Sequence, residues 1–271
     1  MNLKIILILI SILVGNILLS VYVFTNGFLI RRLALNDTNI QSFSDLKRFN
    51  KTVILFVDAL RFDFIFTKTN SLFGISTIEK LLKNDAQNSK LFKFIADPPT
   101  TTMQRIKALM SGTLPTFIDA GSNFDSYLIE DDNLIQQSYL HNRSVIILGD
   151  DTWLSLFNED LLAQHYTYPS FNIKDLDSND INVNEKLASI FANTTVKWNL
   201  IVAHYLGLDH CGHTFGPKSP IIKKKLNDID KTIRFVTESI DEETLLVVIG
   251  NTFNKYCKVD YLFLCFSYLN R

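Results

Sequence analysis

Cysteine is scarce in this chain: 271 residues hold three, Cys211, Cys257 and Cys265. An odd number without the short paired spacings of a metal or redox motif excludes a disulfide framework and a thiolate cluster. Glycine and proline are sparse too, at 10 and 6. With no internal repeat and no low-complexity stretch, collagen-like, solenoid and linker-rich architectures fall away. Nor is there a surplus of either charge. Lys and Arg number 27 against 28 for Asp and Glu, a formal net charge of −1. The chain therefore lacks the basic footprint of a nucleic-acid binder and any acidic block that would stay disordered. One large domain, or two small ones, fits this length and a hydrophobic share of 47%.

Charge is absent altogether from Ile5 to Ile30, where Leu, Ile, Val and Phe dominate. As a helix this run would be about 39 Å long at 1.5 Å per residue, more than the ~30 Å hydrocarbon core of a bilayer. The apolar stretch of a cleaved signal is only about 7–15 residues, so residues 1–32 read as a transmembrane signal-anchor. Its orientation is not marked by charge, because Lys4 and the amino terminus balance Arg31 and Arg32. Residues 33–50 are polar and read as a linker. Asn-X-Ser/Thr triplets at Asn36, Asn50, Asn142 and Asn193 would be glycosylation acceptors in a lumenal domain.

Beyond the linker, apolar runs alternate with helical spacing. Thr52–Val57 is a β-branched run that ends at Asp58, Ser144–Leu148 leads into Gly149-Asp150-Asp151-Thr152-Trp153, Trp198–Leu206 is a third run, and Thr244–Ile249 the last. Ser76–Lys83, Met103–Ser111 ending at Gly112, Phe124–Gln137 and Ile221–Ser239 read as helices. Residues 170–184 are rich in Asn and Asp and read as a surface loop. The alternation predicts an α/β fold, a mainly parallel sheet with helices on both faces.

In such a sheet, ligands collect at the strands' carboxyl ends. Three of those ends carry chemistry: Asp58, the pair Asp150 and Asp151, and Asp209 with His213 in Leu-Gly-Leu-Asp-His-Cys-Gly-His. The last two are four residues apart, read as lying in a loop that Gly207 and Gly212 let turn tightly. A carboxylate and an imidazole so placed suit a divalent ion such as zinc. Asp97-Pro-Pro-Thr-Thr-Thr102 is a breaker-rich loop running into a helix. A threonine at that start lies among unpaired N–H groups, where a nucleophile attacking phosphorus would be held; helix capping needs only one threonine. Arg61 and Arg105 read equally as salt-bridge partners or as phosphate-facing groups. Asp150 and Asp151 either orient ligands from behind or cap the helix at Thr152. His204, inside an apolar strand, reads as a hydrogen-bonded core residue.

Five segments in order, Asp58-Ala-Leu-Arg-Phe-Asp63, Asp97–Arg105, Gly112–Asn123, Gly149–Trp153 and Ala203–His213, resemble the GPI ethanolamine phosphate transferases of the alkaline phosphatase superfamily, and most the third enzyme of that set. The resemblance covers about residue 50 to Gly250. It implies a partial alkaline phosphatase-like catalytic domain over 51–250, two divalent metal ions, zinc by the family's habit, and phosphoryl transfer through a covalent intermediate. Asp58 and Thr102 would serve the first metal, with Thr102 the nucleophile and Thr100 and Thr101 open as alternatives; Asp209 and His213 would serve the second. Phosphatidylethanolamine would donate phosphoethanolamine to a mannose of the GPI precursor, the third mannose by likeness to the third enzyme. The resemblance also implies an endoplasmic reticulum membrane location with a lumenal domain, and a small multi-span stabilising subunit as partner.

The pattern breaks at Gly250. The family continues Gly-Asp-His-Gly-Met and later supplies a further histidine, whereas this chain reads Gly250-Asn251-Thr252-Phe253-Asn254 and has no histidine among residues 214–271. Residues 251–271 match nothing in the family and read as a divergent tail on a C-terminally truncated domain, without the multi-span region that follows in relatives. Each metal would then keep two protein ligands, fewer than the three of a catalytic zinc site. This predicts weak zinc binding and impaired turnover, and leaves two other readings: a catalytically inert isoform that binds a partner or lipid, and a nucleotide pyrophosphatase/phosphodiesterase of the same superfamily. Against the latter, the run Thr102-Met-Gln-Arg105 departs from the Phe-Pro-Asn-His that usually follows that group's nucleophile.

Overall fold

The computed structural model describes residues 3–27, 49–65, 75–95, 101–114, 128–169, 172, 174–251 and 260–267. Asn36, Thr100, the Asp97-Pro-Pro segment, residues 115–123, Cys257 and most of the predicted linker lie outside these.

Helix α1, Leu3–Gly27, has 25 residues, an 18-residue window of mean hydropathy 2.6 and no buried side chain. It is long and apolar enough to cross a membrane, about 37 Å at 1.5 Å per residue, as the uncharged run predicts.

The remaining elements build one seven-stranded sheet, ordered β2-β7-β6-β1-β5-β3-β4. Its strands are β1 (Lys51–Asp58), β2 (Ser89–Ile95), β3 (Val145–Asp150), β4 (Gln164–Tyr168), β5 (Leu200–Tyr205), β6 (Thr244–Asn251) and β7 (Asp260–Ser267). The central pairs β6/β1, β1/β5, β5/β3 and β3/β4 are parallel, while β7 runs antiparallel to both β6 and β2. Period-two alternation sends the β1 side chains into two cores. Val53, Leu55 and Val57 pack with Ile78 of α2 (Ser76–Asn84), Leu187 of α6 (Ser178–Ala192), Cys211 of α7 (Gly207–Phe215) and Ile233 of α8 (Pro220–Ser239). Ile54 and Phe56 pack with Ile106 of α3 (Thr102–Ser111), Ile135 of α4 (Leu134–Leu140) and Trp153 of α5 (Thr152–Leu156). Helices on both faces explain why these strands read as unbroken apolar runs.

Helix ends follow local chemistry. Gly112 stops α3 in the left-handed conformation at φ 67°. Ser219 caps α8 by accepting from the Ile221 N–H at 3.3 Å, with Pro220 as its first residue.

Three expectations are corrected. The helix expected over Phe124–Gln137 begins at Leu134, because the Asn133 side chain caps it by accepting from the Gln136 N–H at 2.9 Å; residues 124–127 lie outside the described part. The polar stretch 170–184 is only half a loop, since α6 starts at Ser178 with Asp180 buried. The 207–215 segment is no tight loop but helix α7, so the spacing of four between Asp209 and His213 is one helical turn. Gly212 sits within that helix, and Gly207 opens it. The tail that matches no family pattern supplies β7.

Candidate active site

Asp58 is the last residue of β1 and is buried. The chain turns sharply beyond it: Ala59 takes φ 60°, and its N–H donates to Asp58 Oδ1 at 2.9 Å. A left-handed alanine costs roughly 1–2 kcal/mol, so the turn that presents this carboxylate is strained. Close by, Gly250 of β6 lies against the Leu60 carbonyl with no room for a Cβ.

Thr102 opens α3, and its Oγ1 donates to Asp58 Oδ2 at 2.8 Å. Thr101 occupies the N-cap position, exposed and without a side-chain cap bond. Of the two described threonines, Thr102 is therefore the one that reaches the carboxylate. It also sits in the first turn, whose N–H groups have no partner within the helix.

Asp209 and His213 lie on α7, with His213 Nε2 3.3 Å from Asp209 Oδ2 and the imidazole 67% exposed. The start of α7 is clamped from α6. Asp180 Oδ1 accepts from the Leu206 and Gly207 N–H groups at 3.1 Å each. Lys225, only 3% exposed, pairs with Asp177 at 2.6 Å and Asp180 at 3.6 Å and donates to the Leu176 carbonyl. Asp180 is the functional support that sequence reasoning missed; its partners lie 26 and 27 residues away and leave no local signal.

The electrostatics tie the two halves together. Burial, reinforced by the negative charge of Asp209, pushes Asp58 up to about 6, against the pull of His204 and its bonds to Thr102 and Ala59. Burial likewise raises Asp209, with His213, His210 and His204 opposing. Two mutually repelling carboxylates at one strand rim form a locus that gains from positive charge.

His204 is buried, as predicted for a core residue, yet it is more than packing. Its Nδ1 lies 2.8 Å from Asp150 Oδ1 and 3.1 Å from Trp153 Nε1. Burial opposes the charged forms of both partners, but their mutual attraction prevails: Asp150 is held below its usual value and His204 above. Asp150 also accepts from the Thr152 hydroxyl. Asp151 sits at the N-cap position of α5, exposed and without a side-chain cap bond. Arg61 pairs with Asp63, its Nε 2.7 Å from Oδ1, and stacks 5.0 Å from the Phe64 ring centroid. Arg105 is buried one turn after Thr102.

The donors do not fit a closed two-metal centre. Among the described residues no group of three or more His, Cys, Asp or Glu could hold a metal ion. Asn251, an amide bearer, stands opposite Asp58 in the β1–β6 register.

Comparison with known proteins follows the geometry. A family model described as type I phosphodiesterase / nucleotide pyrophosphatase matches residues 135–251. Over 86% of its length the chain is 40% identical to GPI ethanolamine phosphate transferase 3 of Saccharomyces cerevisiae, and 38% identical to the catalytic subunit of that name from Homo sapiens. It spans 24% of each, about a quarter of the relatives' length. Murine ectonucleotide pyrophosphatase / phosphodiesterase 5 shares the fold with a TM-score of 0.55 at 13% identity, covering 74% of this chain and 56% of that one. The C-terminal periplasmic domain of EcEptC from Escherichia coli does so with 0.52 at 11%, covering 88% and 77%.

Proposed function

We propose that this chain, similar over 86% of its length to GPI ethanolamine phosphate transferases, has a domain built to pass phosphoethanolamine from phosphatidylethanolamine to a mannose, the third, of a GPI precursor. The observation that carries this reading is the hydrogen bond from Thr102 to Asp58 at the strands' carboxyl rim, in a chain 38–41% identical to enzymes of that name. The Thr102 Oγ attacks phosphorus, the bond from phosphorus to the diacylglycerol oxygen breaks, and phosphoethanolamine remains esterified to Thr102. A mannose hydroxyl then attacks the same phosphorus and frees the threonine. Asp58 Oδ2 already accepts the hydroxyl hydrogen at 2.8 Å, which places the carboxylate to draw that proton away as the oxygen attacks.

In this reading α1 anchors the chain in the endoplasmic reticulum membrane with the domain in the lumen, where a small multi-span subunit would stabilise it. Divalent ions, zinc by analogy with the EcEptC domain solved in complex with Zn, would bind Asp58 with Thr102 and Asp209 with His213. Two ligands for each ion fall short of three, so zinc is held weakly and turnover is impaired. The amide at Asn251 favours a second reading, an inert chain that binds lipid headgroup or partner without chemistry.

One experiment separates the two. The full chain in membranes is incubated with phosphatidylethanolamine, and Thr102 is searched for a phosphoethanolamine adduct by mass spectrometry. An adduct absent from Thr102→Ala supports transfer. No adduct at any zinc concentration leaves the inert reading standing and overturns the first.

A further inference from the structure

The strands' carboxyl ends carry Asp58 and Asp150; their amino ends carry a different set. Asn50 directly precedes β1, Asn142 lies three residues before β3, and Asn193 follows α6 ahead of β5. These three strands are neighbours in the sheet order β1-β5-β3. All three asparagines head Asn-X-Ser/Thr triplets, and all three are exposed. At about 3.3 Å per residue, the eight residues of β1 set this rim roughly 25 Å from the rim bearing Asp58.

The three differ in what holds them. Asn50 is woven into the joint between β1 and β6: its side-chain amide donates to Glu243, and its carbonyl accepts from Asn199 Nδ2 at 3.2 Å. Asn142 sits at a turn tip with φ 54° and makes no side-chain hydrogen bond among the described residues. Asn193 has its Oδ1 bound by its own triplet, accepting from the Thr195 N–H at 3.0 Å and the Thr195 hydroxyl at 2.7 Å. The Asn193 Nδ2 makes no hydrogen bond among the described residues, and the residue is exposed. Asn142 and Asn193 also line one cleft of about 640 Å³, together with Ser144, Trp198 and Asn199.

We infer that Asn142 and Asn193 are both N-glycosylated, placing paired glycans on the pole opposite the catalytic rim. The co-reactant is an oligosaccharide carried on a lipid diphosphate. The asparagine Nδ2 bonds to the anomeric carbon, the bond from that carbon to the diphosphate oxygen breaks, and the diphosphate leaves with the electron pair as the amide releases one proton. The inference rests on the lumenal placement proposed above, since acceptor triplets are used in that compartment. Glycans at this pole leave the Thr102 rim bare for a lipid substrate. At Asn50 a glycan would displace Glu243, and that residue is left unassigned.

The test expresses the full chain in a eukaryotic cell and compares mobility before and after an amidase that removes N-glycans. Asn142→Gln and Asn193→Gln are each expected to lose one mobility step, and Thr195→Ala to match Asn193→Gln without touching the asparagine. Protease protection of the domain in intact microsomes runs alongside. A protected domain whose ladder survives in either glutamine variant overturns the assignment of that residue and leaves the lumenal reading in place. A protease-accessible domain without glycans overturns both.

Discussion

Asn251 of β6 lies directly opposite Asp58 of β1 in their parallel register. The sequence thus has an asparagine across from Asp58, and a threonine at the next position, 252. Restoring Asp and His at these positions in Asn251→Asp/Thr252→His should raise zinc affinity at least about tenfold, since even groups that merely orient ligands contribute 10–100-fold. Calorimetric titration of the purified protein reads this. Equal affinity in both proteins would contradict the view that these two positions limit metal binding.

Thr102→Ala should abolish any phosphoethanolamine adduct, whereas Thr102→Ser keeps a hydroxyl on the same helical turn and should retain it at a reduced level. If instead Thr102→Ala still forms an adduct, the nucleophile lies elsewhere, with Thr101 the next candidate.

Asp58 couples stability to pH in a definite direction. Its folded-state pKa of about 6 lies above the ordinary 3.8, so the folded protein binds this proton more tightly than the unfolded chain. Ionising the buried carboxylate therefore costs stability as pH rises from about 4 to 6, and the full cost persists above that. Asp58→Asn should gain on the order of 2 kcal/mol over the parent above pH 6.5, with the advantage fading towards pH 4. Thermal melts in chelator across that range decide it; an advantage independent of pH would exclude Asp58 as its source.

Backbone geometry gives a pair of opposite expectations. Ala59→Gly relieves a left-handed alanine and should stabilise the fold by about 1 kcal/mol. Gly207→Ala forces a methyl into Asp180, Leu176 and Lys225 and should cost roughly 1–3 kcal/mol. Denaturant midpoints report both, and loss of stability in Ala59→Gly would refute the strain assigned there.

The buried pair of His204 and Asp150 should be intolerant of half-removal. His204→Ala leaves Asp150 charged and enclosed, a loss of about 3–5 kcal/mol. A variant as stable as the parent would show that the pair carries no charge.

How far the sequence alone reaches depends on the range of each interaction. β1, β3, β5 and β6 are legible because both faces are covered and the apolar runs are unbroken. α3 is legible from Gly112, a local signal. α6 is not, because its Asn- and Asp-rich opening looks solvated until Asp180 meets the Leu206 and Gly207 amides. The helical state of Asp209 and His213 is hidden likewise, since two glycines in nine residues argue for a loop and only the Asp180 clamp reverses that. At the site, motif order singles out Asp58, Thr102, Asp209 and His213, and the structure joins Asp58 to Thr102. The His204–Asp150 contact spans 54 residues and has no trace in local pattern.

The place of β7 in the sheet has a temporal side. β2 reaches the remainder of the sheet through β7, pairing Ser89 with Phe266 and Ile95 with Asp260. At about 5–20 residues per second, the stretch between Ile95 and Asp260 means that a newly made β2 waits on the order of 10–30 s for its partner. Throughout that interval β2 has no strand beside it, and its unpaired backbone is open to a chaperone or a neighbouring chain; β6, made just before β7, is open only briefly.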